Sequence, residues 1–419
     1  MIGAEANDYA RFAERVRKDG LLSDPWIAGK PRFSTAAMQL PESRWQAVAD
    51  AAESMAEAHN ELVALVLRDE KLFEAYFTLG AAGRALWECA APHWHGIARA
   101  DVFLTAQGPV LCEINSDTPS GQAEAVTLSR LFDGEPGRDP NAELEARFCA
   151  YLSFEARRLG KELADTTVGI LYPTEFTEDL GLVLLYERWL CACGARVVLG
   201  SPFNLQPAAD GRVALLGQPC DVFVRHYKTD WWVEREPVWT TEAPFPDAEP
   251  LTQALVLLVC AEQAGKARVL NPFGAIVPQN KRSLALLWEE RSRFTDGGRR
   301  AIERYLPPSF RLESQTTECL RREREAWVLK SDYGCEGEET LVGRATTQAI
   351  WEATLAEAAP GRWIAQQAFD PLRDDGLECN LGVYLVAGMA CGLYARRSVG
   401  PTDATALSTA VRIAEEPSS

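Results

Sequence analysis

The stretch RADVFLTAQGPVLCEINSDTPSG, Arg99 to Gly121, reads as a strand, a tight turn, a second strand and a polar loop. Polar residues at alternate positions share one face of a strand. With Ala106-Gln107-Gly108 as a three-residue loop, Gly108 takes the left-handed position that such a loop needs. That register sets Asp101 opposite Glu113 and Arg99 opposite Asn115. Facing like charges are destabilising, so something positive is expected between them. Two carboxylates and an amide oxygen are a hard ligand set of the kind Mg²⁺ accepts. Arg99 on the same face could hold a phosphate bidentately. The competing reading is a salt-bridged hairpin in which Arg99 neutralises its neighbours.

The rest of the chain bounds what this hairpin can serve. A length of 419 residues implies two or three lobes. Composition is that of a globular protein, with 47% hydrophobic and 25% charged residues. A net charge of −17 argues against nucleic acid or an anionic membrane as the main partner. The 11 cysteines are scattered without a CxxC pair, which predicts a reducing, cytoplasmic setting and no structural zinc. The N-terminus has no signal-peptide core, and no apolar run is long enough to span a bilayer.

Residues 1–95 are expected to be mainly helical. Trp45, Val48, Ala52, Met55 and His59 recur at helical spacing, beginning near Pro41 or Ser43. His59 reads as a packed helix residue, and His93 and His95 as part of a loop anchoring the next strand. Residues 96–163 hold the hairpin and helices. Residues 164–270 alternate strand and helix, which predicts a small parallel-sheet lobe. That lobe lacks a GxGxxG turn, so a dinucleotide site there is disfavoured. Trp231 and Trp232 could wall a pocket; packing is the favoured reading. Residues 271–419 form the last region, with a pair of antiparallel strands near its end.

Two further elements carry charge. In VLKSDYGCEGEE, Lys330 ends an apolar strand before a loop with Gly334 and Gly337. Glycines let backbone amides approach phosphate oxygens, and a lysine beside them adds a point charge. The loop is not a Walker A sequence; a solvated hairpin is the alternative. In PQNKRSLALLWE, Lys281 stands at a helix N-terminus, where a cation is unfavourable unless it answers an anion. Simple surface solvation is the alternative here.

Together these pieces resemble the synthetase module of the glutathionylspermidine synthetase-like family, circularly permuted ATP-grasp ligases. The matching stretches are RADVF…PVLCEINSDTPSG, NPFGAIVPQNKRSLALLW, VLKSDYGCEGEE, WIAQQAF and VYLVAGMACGLYARRS, in the family's order. The resemblance implies an α+β ATP-grasp fold with the metal strand ahead of the nucleotide lysines. It implies a helical N-terminal region, a small α/β pre-ATP-grasp-like lobe over 164–270 and a nucleotide lobe over 271–419. The module is expected alone, without the family's amidase domain. By residue, the resemblance implies that Asp101, Glu113 and Asn115 ligate Mg²⁺ and that Arg99 meets the γ-phosphate. Lys281 and Lys330 hold ATP, the Gly334–Gly337 loop closes over the triphosphate, and Gln366 and Gln367 form the adenine hinge. Arg396 stabilises the acyl-phosphate site, and Thr118 touches the carboxylate substrate.

The expected function is therefore an ADP-forming, ATP- and Mg²⁺-dependent carboxylate–amine ligase acting on small molecules, with a peptide or polyamine as the natural range. Cys335 and Glu336 alter the glycine loop, which keeps a non-catalytic ATP-binding scaffold in view. A phosphotransferase on the same fold is the other alternative.

Overall fold

The structure is a computed structural model and describes residues 2–174, 178–234, 251–334 and 340–415. It is a mixed α/β molecule built around an antiparallel sheet. Across that sheet the strands run Leu407–Thr409, Met389–Ser398, Leu377–Val386, Ile97–Thr105 and Gly108–Asn115. The opening hairpin thus pairs with the last long hairpin of the chain: Gly382 lies opposite Asp101, and Asn380 opposite both Phe103 and Arg396.

Strand periodicity decides what each face does. Ala98, Ala100, Val102, Leu111, Ile114, Leu381, Val383, Leu393 and Ala395 point into one core. The helix Glu42–Val66 covers that face with Trp45, Val48, Ala52, Met55 and His59, the stripe legible from helical spacing, and with Leu62. It starts after Pro41. The alternate residues, Arg99, Asp101, Phe103, Asn380 and Arg396, are left facing the opposite side, where a cleft opens.

Four strands between residues 167 and 270 form a parallel sheet. Its strands lie in the order Arg268–Leu270, Val222–Arg225, Thr167–Leu171 and Arg196–Gly200, all parallel. Both faces are covered, as parallel sheets require. Val168, Ile170 and Val224 pack with Tyr9 and Phe12 of the helix Ile2–Asp19, and Phe223 and Val269 pack with Leu255 and Leu258 of Thr252–Gln263. A further antiparallel sheet carries Ser309–Arg311, Trp363–Gln367, Trp327–Ser331 and Thr340–Val342. The N-terminal region is not self-contained: Met38–Pro41 pairs in parallel with Val411–Ala414.

One local expectation is corrected. The hairpin turn has two residues, not three: Thr105 faces Gly108, whose φ is +117°. Carried straight down the strands, that turn would misalign the acidic pair by one residue. A bulge between Asp101 and Val102 on one strand absorbs Cys112 on the other, and Asp101 still meets Glu113 while Arg99 meets Asn115. An extra residue of this kind re-aims the side chains beyond it.

Candidate functional site

The sheet's polar face, the parallel lobe and the Trp327–Ser331 sheet enclose a cavity of about 530 Å³. Arg99, Asp101, Glu113, Asn115, Thr118, Lys330, Gly334, Gln366 and Arg396 line it. Lys281 is buried behind that wall and reaches Glu113 from there. The Gln367 side chain is exposed and faces away, so of the two glutamines only Gln366 borders the cavity. Gly337 lies outside the described residues, together with Cys335 and Glu336.

The positive charge demanded by the facing carboxylates is supplied by protein groups. Arg99 Nε donates to Asp101 Oδ1 at 2.7 Å and Arg99 Nη2 to Oδ2 at 3.1 Å. Arg396 Nη2 donates to the same Oδ2 at 3.0 Å, and Asn380 Nδ2 approaches it at 3.4 Å. The salt-bridged reading of the hairpin therefore describes Asp101. Arg99 Nη1 donates to the carbonyl of Ser120 at 2.9 Å, tying the sheet to the polar loop. Burial opposes the charge on Arg99, but the Asp101 carboxylate outweighs it and holds the guanidinium protonated.

Glu113 answers the lysines. Lys281 Nζ lies 3.4 Å from Glu113 Oε2 and also donates to the carbonyl of Gly334. Lys330 Nζ donates to the carbonyl of Cys112, the bulge residue, at 3.2 Å. Burial raises the Glu113 pKa, but Lys281, Lys330 and Arg99 together bring it down to about 2. The neighbouring Cys112 thiol is pushed up to about 11 by burial, which keeps it neutral.

These groups suit a hard divalent cation in one respect the sequence did not reveal. Among the described residues, Asn380 Oδ1 is buried with no hydrogen-bond partner, beside Asp101. An amide oxygen beside the Asp101 carboxylate adds an oxygen donor to those of Glu113 and Asn115 on the cavity wall. Among the described residues no group of three or more His, Cys, Asp or Glu side chains is placed to hold a metal, so any such site relies on amide oxygens as well.

Several residues that shape the cleft had not been singled out from sequence. Asn271 Oδ1 accepts from the amides of Gly96 and Ile97 at 3.0 and 2.9 Å, and its Nδ2 donates to the carbonyls of Ile97, Ser116 and Asp117. Arg225, wholly buried, pairs with Asp117 at 2.6 Å, while the amide and hydroxyl of Thr229 also donate to Asp117. Gln279 Oε1 accepts from the amides of Ser116 and Asp117 at 2.8 and 3.1 Å. These contacts fix the loop bearing Thr118 against the parallel lobe. Trp231 lines the cavity, whereas Trp232 packs edge-to-face with Tyr227 and Phe273. Phe103, Val328, Val342 and Phe369 give the cavity an apolar stretch beside Gln366.

Residues 248–409 match the family model of the glutathionylspermidine synthase pre-ATP-grasp region. This agrees with the resemblance read from the motifs. No curated protein matches the chain by sequence. A solved glutathione synthetase-like effector from Globodera pallida, in its apo form, superposes with a TM-score of 0.59 at 11% identity, covering 97% of this chain and 96% of that one. A structure from Methylobacillus flagellatus described as a gamma-glutamylcysteine synthetase gives a TM-score of 0.45 at 12% identity, over 88% of this chain and 85% of that one. At such identity the effector shows a shared fold and nothing finer.

Proposed function

We propose that this chain, similar over residues 248–409 to the glutathionylspermidine synthase family, is an ATP- and Mg²⁺-dependent carboxylate–amine ligase working through an acyl phosphate. The observation that carries the reading is the convergence of Asp101, Glu113 and Asn115 with Lys330, Arg99 and Arg396 around one cavity, Lys281 standing immediately behind. In this reading the order of the parts is permuted, the hairpin preceding both lysines in the chain.

In this reading Asp101, Glu113 and Asn115 would hold Mg²⁺, with Asn380 Oδ1 as a further oxygen. Bound Mg²⁺ supplies neutralisation of the charge that develops on the transferring phosphoryl group. Lys281 and Lys330 would hold phosphates, and the glycine loop beginning at Gly334 would cover them. Phe103, Val328, Val342 and Phe369 offer the adenine an apolar slot beside Gln366. The substrate carboxylate attacks the γ-phosphate, giving an acyl phosphate and ADP. An amine then attacks the acyl carbon, and Arg396 stabilises the oxyanion of the tetrahedral intermediate. Thr118 would touch the carboxylate substrate.

An ADP-release screen over amino acids, γ-glutamyl peptides and polyamines tests the reading, with Asp101→Ala as control. Amine-dependent release of ADP and phosphate by the wild type is expected. Release of AMP and pyrophosphate would place the protein in another ligase class. A stable phosphorylated product without amine would make it a phosphotransferase, and Mg-ATP binding without turnover on any pool would make it a scaffold.

A further inference from the structure

The ligase reading leaves one chemical need unmet. An alkylamine is an ammonium ion at neutral pH and has no lone pair for attack until it loses a proton. None of Arg99, Arg396, Lys281 and Lys330 is suited to take it, and Asp101 already accepts from two guanidinium groups.

Glu124 is a carboxylate on the cavity wall that could meet that need. It lies in the first turn of the helix Gln122–Leu131, is 8% exposed and borders the cavity. Four residues earlier, the Ser120 carbonyl takes Arg99 at 2.9 Å and the Tyr384 hydroxyl at 3.1 Å. Tyr394, also on the cavity wall, stands over Gly121, and Arg396 lies above the Tyr394 ring at 5.9 Å. The Glu124 carboxylate thus shares the cavity wall with Arg99, whose charge acts on it, and with Arg396. One of its oxygens, Oε1, is held by Arg32 Nη2 at 2.6 Å. Among the described residues no other side chain donates to Oε2.

Resting on the ligase reading, we infer that Glu124 is the general base that deprotonates the attacking amine, and that Arg32 positions its carboxylate. The ammonium gives one proton to Glu124. The freed lone pair forms the C–N bond, the acyl C–O bond breaks, and phosphate leaves with the bonding pair and the second nitrogen proton. Glu124 then returns its proton to solvent through the cleft. Burial moves its carboxyl above the ordinary carboxylate range despite Arg32, the direction that strengthens a base. Arg32, Asp179 and Arg99 are the charged groups it faces, and Tyr384 and Tyr394 the hydroxyl-bearing ones.

The test compares two nucleophiles with the acid pool of amino acids and γ-glutamyl peptides. Putrescine requires deprotonation; hydroxylamine is largely uncharged at neutral pH and does not. For Glu124→Gln, amide formation with putrescine falls by about 10²–10⁴-fold, while hydroxamate formation falls by less than tenfold. Arg32→Gln, which keeps the carboxylate but frees it, repeats this split with smaller amplitude and decides the matter should Glu124→Gln not fold. Equal losses with both nucleophiles, or no loss with either, overturn the assignment. A wild type that releases no ADP with either nucleophile overturns the ligase reading beneath it instead.

Discussion

Asp101 and Arg396 stand 295 residues apart in the chain and meet at 3.0 Å. Asp101 Oδ2 accepts from both Arg396 and Arg99, so one buried carboxylate ties the opening hairpin to the last long strand. The contact exists because Asn380 on the shared middle strand lies opposite both Phe103 and Arg396.

Removing Asp101 leaves two guanidinium groups with uncompensated charge, Arg99 9% and Arg396 20% exposed at the side chain. Asp101→Ala is expected to cost about 3–5 kcal/mol of stability, and Arg396→Ala clearly less, because water can reach that side. Urea unfolding of both variants measures the difference. ATP turnover of a folded Arg396→Ala should drop by about 10²–10³-fold.

Glu113 links the site to acid stability. Its carboxyl has a folded pKa of about 2 against an ordinary 4.5. A depressed carboxylate stabilises the fold fully above the ordinary value and loses that contribution as pH falls toward the folded one. Wild type should therefore lose stability between pH 4.5 and about 2, and Glu113→Gln should show a shallower decline over that window. Melting temperature against pH checks this; parallel curves would refute it.

Gly382 has no side chain because Arg99 lies across it. A Cβ added there would meet Arg99 Cδ at 2.7 Å. Gly382→Ala is expected to push Arg99 off Asp101, to cost about 1–3 kcal/mol, and to reduce turnover. Unchanged ATP turnover in a folded variant would show that the arginine's placement is not needed.

His59 is buried and His95 half-buried, among the described residues each has one ring nitrogen without a partner, and desolvation lowers both pKa values to about 4 from 6.5. The unfolded chain takes up these protons first. Their contribution is complete above pH 6.5 and is lost as pH falls toward 4. Each should give a slope of up to about 1.4 kcal/mol per pH unit, and His59→Leu should remove one such slope from pH-dependent unfolding.

The sequence by itself determined a good deal. Alternation in the hairpin marked Arg99, Asp101, Glu113 and Asn115 as one face, and helical spacing marked the stripe from Trp45 to His59. Both are short-range periodicities, set by backbone geometry and the demand that apolar faces be covered. The strand–helix alternation after residue 164 pointed to parallel strand pairing for the same reason, and the strands Thr167–Leu171, Arg196–Gly200, Val222–Arg225 and Arg268–Leu270 are parallel. Tertiary structure decided what those periodicities cannot encode. The register survived because Cys112 bulges out, compensating a turn one residue shorter than expected. Glu124 and Arg32 had no signal beyond a charged residue in a helix and one in a loop. Arg225, Asn271 and Asn380 read as ordinary polar residues until strand pairing brought them beside Asp117, Ile97 and Asp101. Whether a polar side chain is a solvated surface group or a buried one that must find a partner depends on which distant strand lies next to it, and sheet pairing across nearly 300 residues settles that only when the chain closes.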